Sequence, residues 1–201
     1  VEIHQYQMTN IFWVRTYIMY KSIEAITPTI NLFGEPSWTS SQMATLVQQE
    51  MEKNGHWKIE LQKGLSSHWL ENNNNIGKLN FNGIYYIFKK QGLVITPLYI
   101  GESSSKTNSI DNRIGKYIKW NRGQPRGKSG TIHRDYHSAA IKLREGGISN
   151  VEKDNVYVMW VSDDFIYKVL KKSHQDKRHM KLGDIEKKLI KKIKPIGNKN
   201  V

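Results

Sequence analysis

The sequence predicts an α/β protein in which a small three-stranded antiparallel sheet is flanked by helices and preceded by a mainly helical N-terminal segment. A run of asparagines at residues 72–75 is typical of a loop, and it separates helical spacing from short β-branched and aromatic runs. The charge changes at the same place, since residues 1–82 contain 6 Lys and Arg against 7 Asp and Glu, whereas residues 83–201 contain 25 against 11. We therefore place a boundary near residue 78, between an accessory segment at 1–78 and a basic domain at 79–201.

Two helices are expected in the accessory segment. Ser40 or Ser41 is a suitable N-cap for a helix that ends at Asn54-Gly55, and a second helical stretch covers residues 56–70. Two short helices joined by Asn-Gly are typical of a helix-turn-helix or winged-helix fragment, which would read DNA, but other small helical domains share this pattern. DNA reading and dimerisation therefore both stay open for this segment.

The basic domain begins with a predicted β-hairpin. Residues 84–88 and 93–100 form β-branched and aromatic runs, residues 89–92 form the turn, and Pro97 restricts one position of the second strand. Because side chains alternate between the two faces of a strand, Tyr85 and Tyr99 are expected to project from the same face. Ordinary sheet packing explains such a pair as well as shared chemistry does.

Helices and one more strand follow the hairpin. Helical spacing covers residues 110–120 and 133–143, a third strand covers residues 156–161, and Asp184 is a suitable cap for a last helix that ends before Pro195. Arg113 lies at the edge of the apolar stripe of the first helix. An arginine in that position either extends its stem along the core or holds a phosphate through two hydrogen bonds, and both roles stay open.

The last helix carries one carboxylate, Glu186, within its apolar face. That face is formed by Ile185, Leu189, Ile190 and Ile193. A carboxylate turned toward a core needs a compensating partner, because its desolvation costs free energy. An ion pair with Arg113 or a lysine satisfies this requirement, and so does coordination of Mg²⁺, an ion that takes one or two carboxylates together with water.

Composition excludes several classes of protein. The chain has no cysteine, so it has neither disulfides nor thiolate metal ligands, and any metal is held by oxygen or imidazole. The most apolar early segment, residues 11–20, contains Arg15 and is too short to cross a bilayer, which predicts an intracellular protein without a membrane partner. Because the chain starts at Val1 rather than at methionine, there is room for residues ahead of it.

The net charge of +13 arises entirely downstream of residue 82. A basic field confined to one part of a chain favours a polyanionic partner, because lysine and arginine neutralise phosphates and release their counterions. Nucleic acid is the partner that this distribution favours. A solvated basic surface or an anionic membrane face is the alternative.

The motifs form an ordered series: Gly83-Ile84-Tyr85, Tyr99-Ile100-Gly101, Arg113 with Tyr117 four residues later, Glu186, and Asn198 twelve residues after it. Over residues 83–201 this series resembles the GIY-YIG nuclease family. Thirteen residues separate the two tripeptides, slightly more than the family usually has, and inserts at 121–132 and 162–182 enlarge the domain. Such inserts resemble those of the type II restriction endonucleases of this family.

The resemblance implies a metal-dependent deoxyribonuclease that hydrolyses phosphodiester bonds. Tyr85 would be the general base, Arg113 would stabilise charge on the phosphate, and Glu186 would hold one Mg²⁺ or Mn²⁺ ion. A free tyrosine has a pKa of about 10, so the base role requires positive charge nearby, which the basic domain supplies. The other matched residues are Tyr99 and Tyr117, expected to position water or phosphate, and Asn198, expected to order Glu186 or the DNA backbone.

The expected partner is double-stranded DNA, cut at a specific sequence by a homodimer in the prokaryotic cytoplasm as part of a restriction–modification system. A homing or mobile-element endonuclease is one alternative, and a catalytically idle DNA-binding protein on the same fold is another. The basic residues expected to contact DNA are Lys106, Lys116, Arg122, Arg126, Lys128, His133 and Arg134.

Overall fold

The computed structural model of the protein describes residues 26–30, 36–61, 68–72, 75–104, 108–121, 155–173 and 175–198. The strands in this part of the chain are β1 (Thr29–Ile30), β2 (Pro36–Ser37), β3 (Trp57–Leu61), β4 (His68–Asn72), β5 (Asn75–Gly77), β6 (Gly83–Gln91), β7 (Val94–Ser103) and β8 (Val156–Ser162). The helices are α1 (Ser40–Asn54), α2 (Ile110–Asn121), α3 (Asp163–Lys172) and α4 (Leu182–Ile193), and a 3₁₀ turn (Ile196–Asn198) follows α4.

The protein is a mixed α/β structure built on an antiparallel sheet, as the sequence predicts, but the predicted number of three strands is wrong. Six strands form the sheet, in the order β5-β4-β3-β8-β6-β7, and β1 pairs separately with β2. The three predicted strands are β6, β7 and β8, and β3 pairs with the other side of β8 through Trp57 and Val158. This pairing satisfies backbone groups that a three-stranded sheet would leave exposed at the edge of β8.

The N-terminal segment is not mainly helical in its described part. The first predicted helix is present as α1, with Thr39 rather than Ser40 or Ser41 as its N-cap, in a reciprocal capping box with Gln42. The second predicted helix, at 56–70, is wrong, because β3 and β4 occupy this region. The sequence of β3, Trp-Lys-Ile-Glu-Leu, alternates apolar and polar residues, and this period of two belongs to a strand that is buried on one face.

The sheet therefore continues across the predicted boundary near residue 78. Strands β3 to β5 precede residue 78 and strands β6 to β8 follow it, and all six are hydrogen-bonded into one sheet. Helix α1 also packs against β8 and α4. The assignment of an accessory role to residues 1–78 and a nuclease role to residues 79–201 stays a prediction about function.

The central strand β6 is buried on both faces. Tyr85 and Ile87 face a core cluster that includes Ile110 and Ile114 of α2. Ile84, Tyr86 and Phe88 face a second cluster, which contains apolar residues of α1, α3 and α4. This double burial explains why β6 begins with an almost uninterrupted apolar run, since each face of the strand is covered by helices.

Most of the elements predicted after residue 78 are confirmed. The hairpin forms with its turn at Gly92-Leu93, and α2 and β8 match their predicted positions within one or two residues. The last helix begins at Leu182 rather than at Asp184, and the Asp184 carboxylate instead accepts the main-chain N–H of Lys181 at 3.1 Å. Part of the predicted insert at 162–182 forms α3. The predicted helix at 133–143 and the insert at 121–132 lie outside the described residues, apart from Asn121 at the end of α2.

Across the described ranges, every helix is too short or too polar to cross a membrane.

Candidate active site

Tyr85 and Tyr99 lie on the same face of the β6–β7 hairpin, as predicted. Their ring centroids are 6.2 Å apart and the ring planes are inclined by 42°. The strand register pairs Tyr85 with Gly101 and Ile87 with Tyr99, so the two tyrosines are diagonal neighbours. Tyr85 is 1% exposed, because its ring packs in the core cluster between the sheet and α2.

Aromatic side chains extend this face beyond Tyr85. Trp160 lies opposite Tyr85 on β8, and its ring makes an edge-to-face contact with Trp57 of β3 at a centroid distance of 4.7 Å. Both tryptophans are half-buried and pack against the same core cluster as Tyr85. Four neighbouring strands thus contribute aromatic rings to one face, and this packing restricts the position of the Tyr85 phenol.

Gly101 provides the space in which the two phenols lie. A Cβ atom added at Gly101 would be 2.5 Å from the Tyr85 hydroxyl oxygen and 2.7 Å from Cε1 of Tyr99. Rigid aromatic rings cannot move away cheaply, so the close approach of the Tyr85 hydroxyl to the main chain of β7 depends on the absence of a side chain. The structural role of the second tripeptide is therefore to let the rings of Tyr85 and Tyr99 pack closely against the main chain at Gly101.

The glycine of the first tripeptide is required for a different reason. Gly83 has φ 153°, and an added Cβ would collide with the main-chain carbonyl of Val161 on β8. Gly83 pairs with both Ser103 and Ser162, so it fixes the start of β6 between its two neighbours. A larger residue would separate β6 from β8 at the end of the sheet where Tyr85 lies.

Glu186 of α4 reaches the edge of β7. Its carboxylate accepts a hydrogen bond from the main-chain N–H of Glu102, the residue after Gly101. Burial, and then the negative charge of Glu102, raise the pKa of Glu186 to about 7, while the positive charges of Lys187 and Arg113 oppose this increase. The carboxylate thus lies in a partly desolvated position beside a second carboxylate, with a main-chain donor as its hydrogen-bond partner.

Asn198 contacts the same edge of β7 at Ile100, two residues before Glu102. Its Nδ2 donates to the Ile100 carbonyl at 2.9 Å, and its Oδ1 accepts the Ile100 N–H at 2.8 Å. Residues two apart on a strand direct their N–H groups to the same side, so Asn198 and Glu186 together satisfy the outward N–H groups of Ile100 and Glu102. Asn198 is therefore placed to order the strand segment that carries Tyr99 and Gly101.

Arg113 belongs to the first turn of α2 and is half-buried. The start of α2 is anchored by hydrogen bonds from Ile110 N–H to the Phe81 carbonyl and from Asp111 N–H to the Leu79 carbonyl, each 3.0 Å long. The helix packs against β6 and β7, and the charge of Arg113 acts on Glu186. The guanidinium is thereby fixed near the carboxylate at the tyrosine-bearing end of the sheet.

Five of the predicted catalytic residues are thus gathered around three residues of β7, Ile100 to Glu102. They are Tyr85, Tyr99, Arg113, Glu186 and Asn198. The side chain of Tyr117 lies outside the described part of α2. The predicted DNA contacts also lie outside the described residues, or for Lys116 outside the described side chains: Lys106, Lys116, Arg122, Arg126, Lys128, His133 and Arg134.

Glu102 was not identified from the sequence. Glu102 immediately follows the second tripeptide. It lies two positions beyond Ile100 on an edge strand, so its main-chain N–H points outward and is available to a side chain of the last helix. Its negative charge also helps to raise the pKa of Tyr167 in α3, after burial and the charge of Asp163. The signal in the sequence was its position beside the tripeptide, but its pairing with Glu186 required the fold.

Tyr86 is the neighbour of Tyr85 but faces the other side of the sheet. Its side chain packs in the cluster formed with α1 and α4, burial raises its pKa above the ordinary value, and its hydroxyl has no hydrogen-bond partner within the described residues. The alternation of β6 therefore separates the two adjacent tyrosines, and only Tyr85 lies at the candidate site.

The donors around Glu186 fit one divalent cation. Mg²⁺ is bound in proteins by one or two carboxylates and several waters, and Glu186 supplies one carboxylate here, whereas Glu102 has the strand parity of Ile84 and Tyr86 rather than that of Tyr85. The parts of the chain that the structure describes contain no cluster of three or more His, Cys, Asp or Glu side chains suited to a metal ion.

Comparisons of this chain with protein-family models, with curated proteins and with solved structures found no match. The resemblance to the GIY-YIG nucleases therefore rests on the sequence motifs.

Proposed function

We propose that this protein is a sequence-specific DNA endonuclease, similar to the type II restriction enzymes of the GIY-YIG family, that hydrolyses phosphodiester bonds with one divalent metal ion. The observation that carries the proposal is the arrangement of two adjacent residues of β7. Gly101 accommodates the hydroxyl of Tyr85, and Glu102 donates its N–H to the carboxylate of Glu186. A group able to accept a proton and a group able to bind a metal are thus held by consecutive residues of one strand.

Each residue has a role that its position supports. The phenolate form of Tyr85 accepts a proton from water, whose oxygen attacks the phosphorus, and the bond between phosphorus and the 3′ oxygen breaks. Arg113 stabilises the negative charge that develops on the phosphate, and Tyr99 orients the water or the phosphate. The 3′ oxygen finally takes up a proton from water.

Glu186 would hold the metal ion. A divalent ion at this position supplies charge stabilisation to the leaving oxygen when bound. The raised pKa of Glu186 means that its proton must be lost before it can act as a ligand, so metal binding is expected to strengthen as the pH rises through about 7.

The experiment that tests the proposal is digestion of a plasmid library with Mg²⁺, followed by sequencing of the ends. The proposal predicts ends at one short sequence, and a symmetric site would agree with a homodimer on DNA. A single long site would assign the protein to homing endonucleases instead. Binding without any cleavage would favour the idle DNA-binding alternative. A protein that neither binds nor cleaves DNA would refute the proposed role on DNA.

A further inference from the structure

Three exposed lysines lie along α4 and at its C-terminal end, and we call them the stripe. Lys187 and Lys191 are four residues apart, so they project from one face of α4 about 6 Å apart along its axis, and Lys194 follows the last helical residue in a left-handed conformation. All three are exposed, whereas Ile185 and Leu189 on another face of α4 are buried against the sheet and α1. The packing of α4 thus sets the face of the helix from which Lys187 and Lys191 project into solvent.

Among the described residues, no acidic side chain forms an ion pair with this stripe. Across the described ranges, none of its three lysines forms a salt bridge with a carboxylate within 4.0 Å. Residues 182–198 contain five lysines, the three of the stripe together with Lys188 and Lys192, against the two acids Asp184 and Glu186, so this segment carries a net positive charge.

The stripe begins beside the candidate active site. Lys187 follows Glu186 directly, and its charge acts on the Glu186 carboxylate that reaches Glu102. Lys194 lies at the other end, where α4 stops in a left-handed residue before the turn that carries Asn198. A chain of phosphates held along the stripe would therefore lead to the residues around β7.

We infer that Lys187, Lys191 and Lys194 bind the phosphate backbone of one DNA strand and direct it toward Glu186. This inference rests on the proposed function, since it assumes that the polyanion is DNA. It adds these three lysines to the basic residues between 106 and 134 that the sequence predicts to contact DNA. Backbone contacts of this kind fix the register of a duplex without reading its bases.

The test compares two triple variants with equal charge changes. Lys187→Gln, Lys191→Gln and Lys194→Gln remove the stripe, while Lys168→Gln, Lys171→Gln and Lys172→Gln remove three exposed lysines of α3 as a matched control. The control lysines lie about 8 to 14 Å along α3 from Asp163, which follows the site end of the sheet. The measurement is the affinity for a 30-base-pair duplex without metal, over a range of salt concentrations.

Each phosphate contact contributes about 0.9 to the slope of log affinity against log salt. We expect the α4 variant to have a slope shallower by about 2 to 3, and the α3 variant to change by less than about 1. Equal losses in both variants, or an unchanged slope in the α4 variant, would overturn the inference. Reduced binding of the α4 variant to phosphatidylserine vesicles, with an unchanged DNA slope, would also overturn it and assign the stripe to a membrane surface.

The binding measurement separates this inference from the nuclease proposal. If the wild-type protein never cuts DNA with Mg²⁺ but the α4 variant loses slope as expected, the stripe is supported and the nuclease proposal fails. If the wild-type protein cuts DNA and the slope is unchanged in the α4 variant, the stripe is wrong and the nuclease proposal stands.

Discussion

The main-chain N–H of Glu102 donates a hydrogen bond to the carboxylate of Glu186, which joins the strand of the second tripeptide to the last helix. This contact is the smallest of the effects on the pKa of Glu186, and burial still raises that pKa to about 7, so the desolvation of the carboxylate is only partly offset at the edge of β7. This contact also brings the carboxylate next to the residue that accommodates Tyr85.

Tyr85→Phe and Tyr86→Phe form a matched pair, since each removes one hydroxyl from adjacent residues of β6. Tyr85→Phe should lower the rate of plasmid cleavage by about 100-fold or more, because it removes the proposed base. Tyr86→Phe should leave cleavage unchanged and should keep or raise the free energy of unfolding, by up to about 1 kcal/mol, because the lost hydroxyl is buried without a partner. Near-normal cleavage by Tyr85→Phe would refute its assignment as the base.

Gly101→Ala tests whether the site depends on the close approach of the tyrosines to β7. The added methyl group would meet both rings, so we expect a loss of about 1 to 3 kcal/mol in unfolding free energy together with loss of cleavage. Gly183→Ala is the control, because open space surrounds that position in α4 and alanine favours a helix, so stability should rise by up to about 1 kcal/mol. Urea denaturation measures both variants, and equal behaviour of the two would contradict the packing described at Gly101.

Asn198→Ala tests the clamp on the edge of β7. The variant loses two hydrogen bonds to Ile100, so the free energy of unfolding should fall by about 1 to 3 kcal/mol and the amide of Ile100 should exchange its hydrogen faster. Cleavage should fall as well, because the segment from Tyr99 to Glu102 is less ordered. Loss of cleavage with unchanged exchange at Ile100 would instead indicate that Asn198 contacts the substrate directly.

The pH dependence of stability tests the environment of Glu186. Its pKa is about 7 in the folded protein, against 4.5 as its ordinary value, so between these pH values the folded state binds more protons than the unfolded state. The free energy of unfolding should therefore fall as the pH rises from about 4.5 to 7, by on the order of 3 kcal/mol from this group.

Glu186→Gln removes the charge and keeps an oxygen that can accept the Glu102 N–H. Relative to the wild type, this variant should gain stability as the pH rises, and urea denaturation at pH 5 and pH 8 measures the gain. A constant difference between the two proteins at both pH values would show that Glu186 titrates normally.

Elements with a strong local pattern could be predicted from the sequence, whereas long-range pairing could not. The hairpin and α2 follow from their own periodicity and are confirmed. The alternation in β3 was missed because the Asn-Gly at 54–55 favoured a second helix, and the partner of β3 is β8, about 100 residues away. The contact of Asn198 with Ile100 spans 98 residues in the same way, so its geometry became visible only in the fold.

The candidate site was predicted by residue type and order, and its geometry was supplied by the structure. Tyr85 and Tyr99 were expected on one face because strands alternate, which the structure confirms. The partner of Glu186 was considered to be a cation, and no pattern in the sequence pointed to the main-chain N–H of Glu102. A main-chain donor leaves no trace in side-chain composition, so such a contact cannot be read from residue types.

The most direct test of the account is Glu186→Ala, measured on one preparation by melting temperature at pH 8, gel shift with DNA, and plasmid nicking with Mg²⁺. If Glu186 is the metal ligand, cleavage should be abolished, the melting temperature should be unchanged or raised because a desolvated charge is removed, and DNA binding should be equal or tighter. If it is half of a buried ion pair, truncation should instead destabilise the protein by about 3 to 5 kcal/mol. A folded Glu186→Ala protein that still nicks plasmid DNA with Mg²⁺ would contradict the central claim.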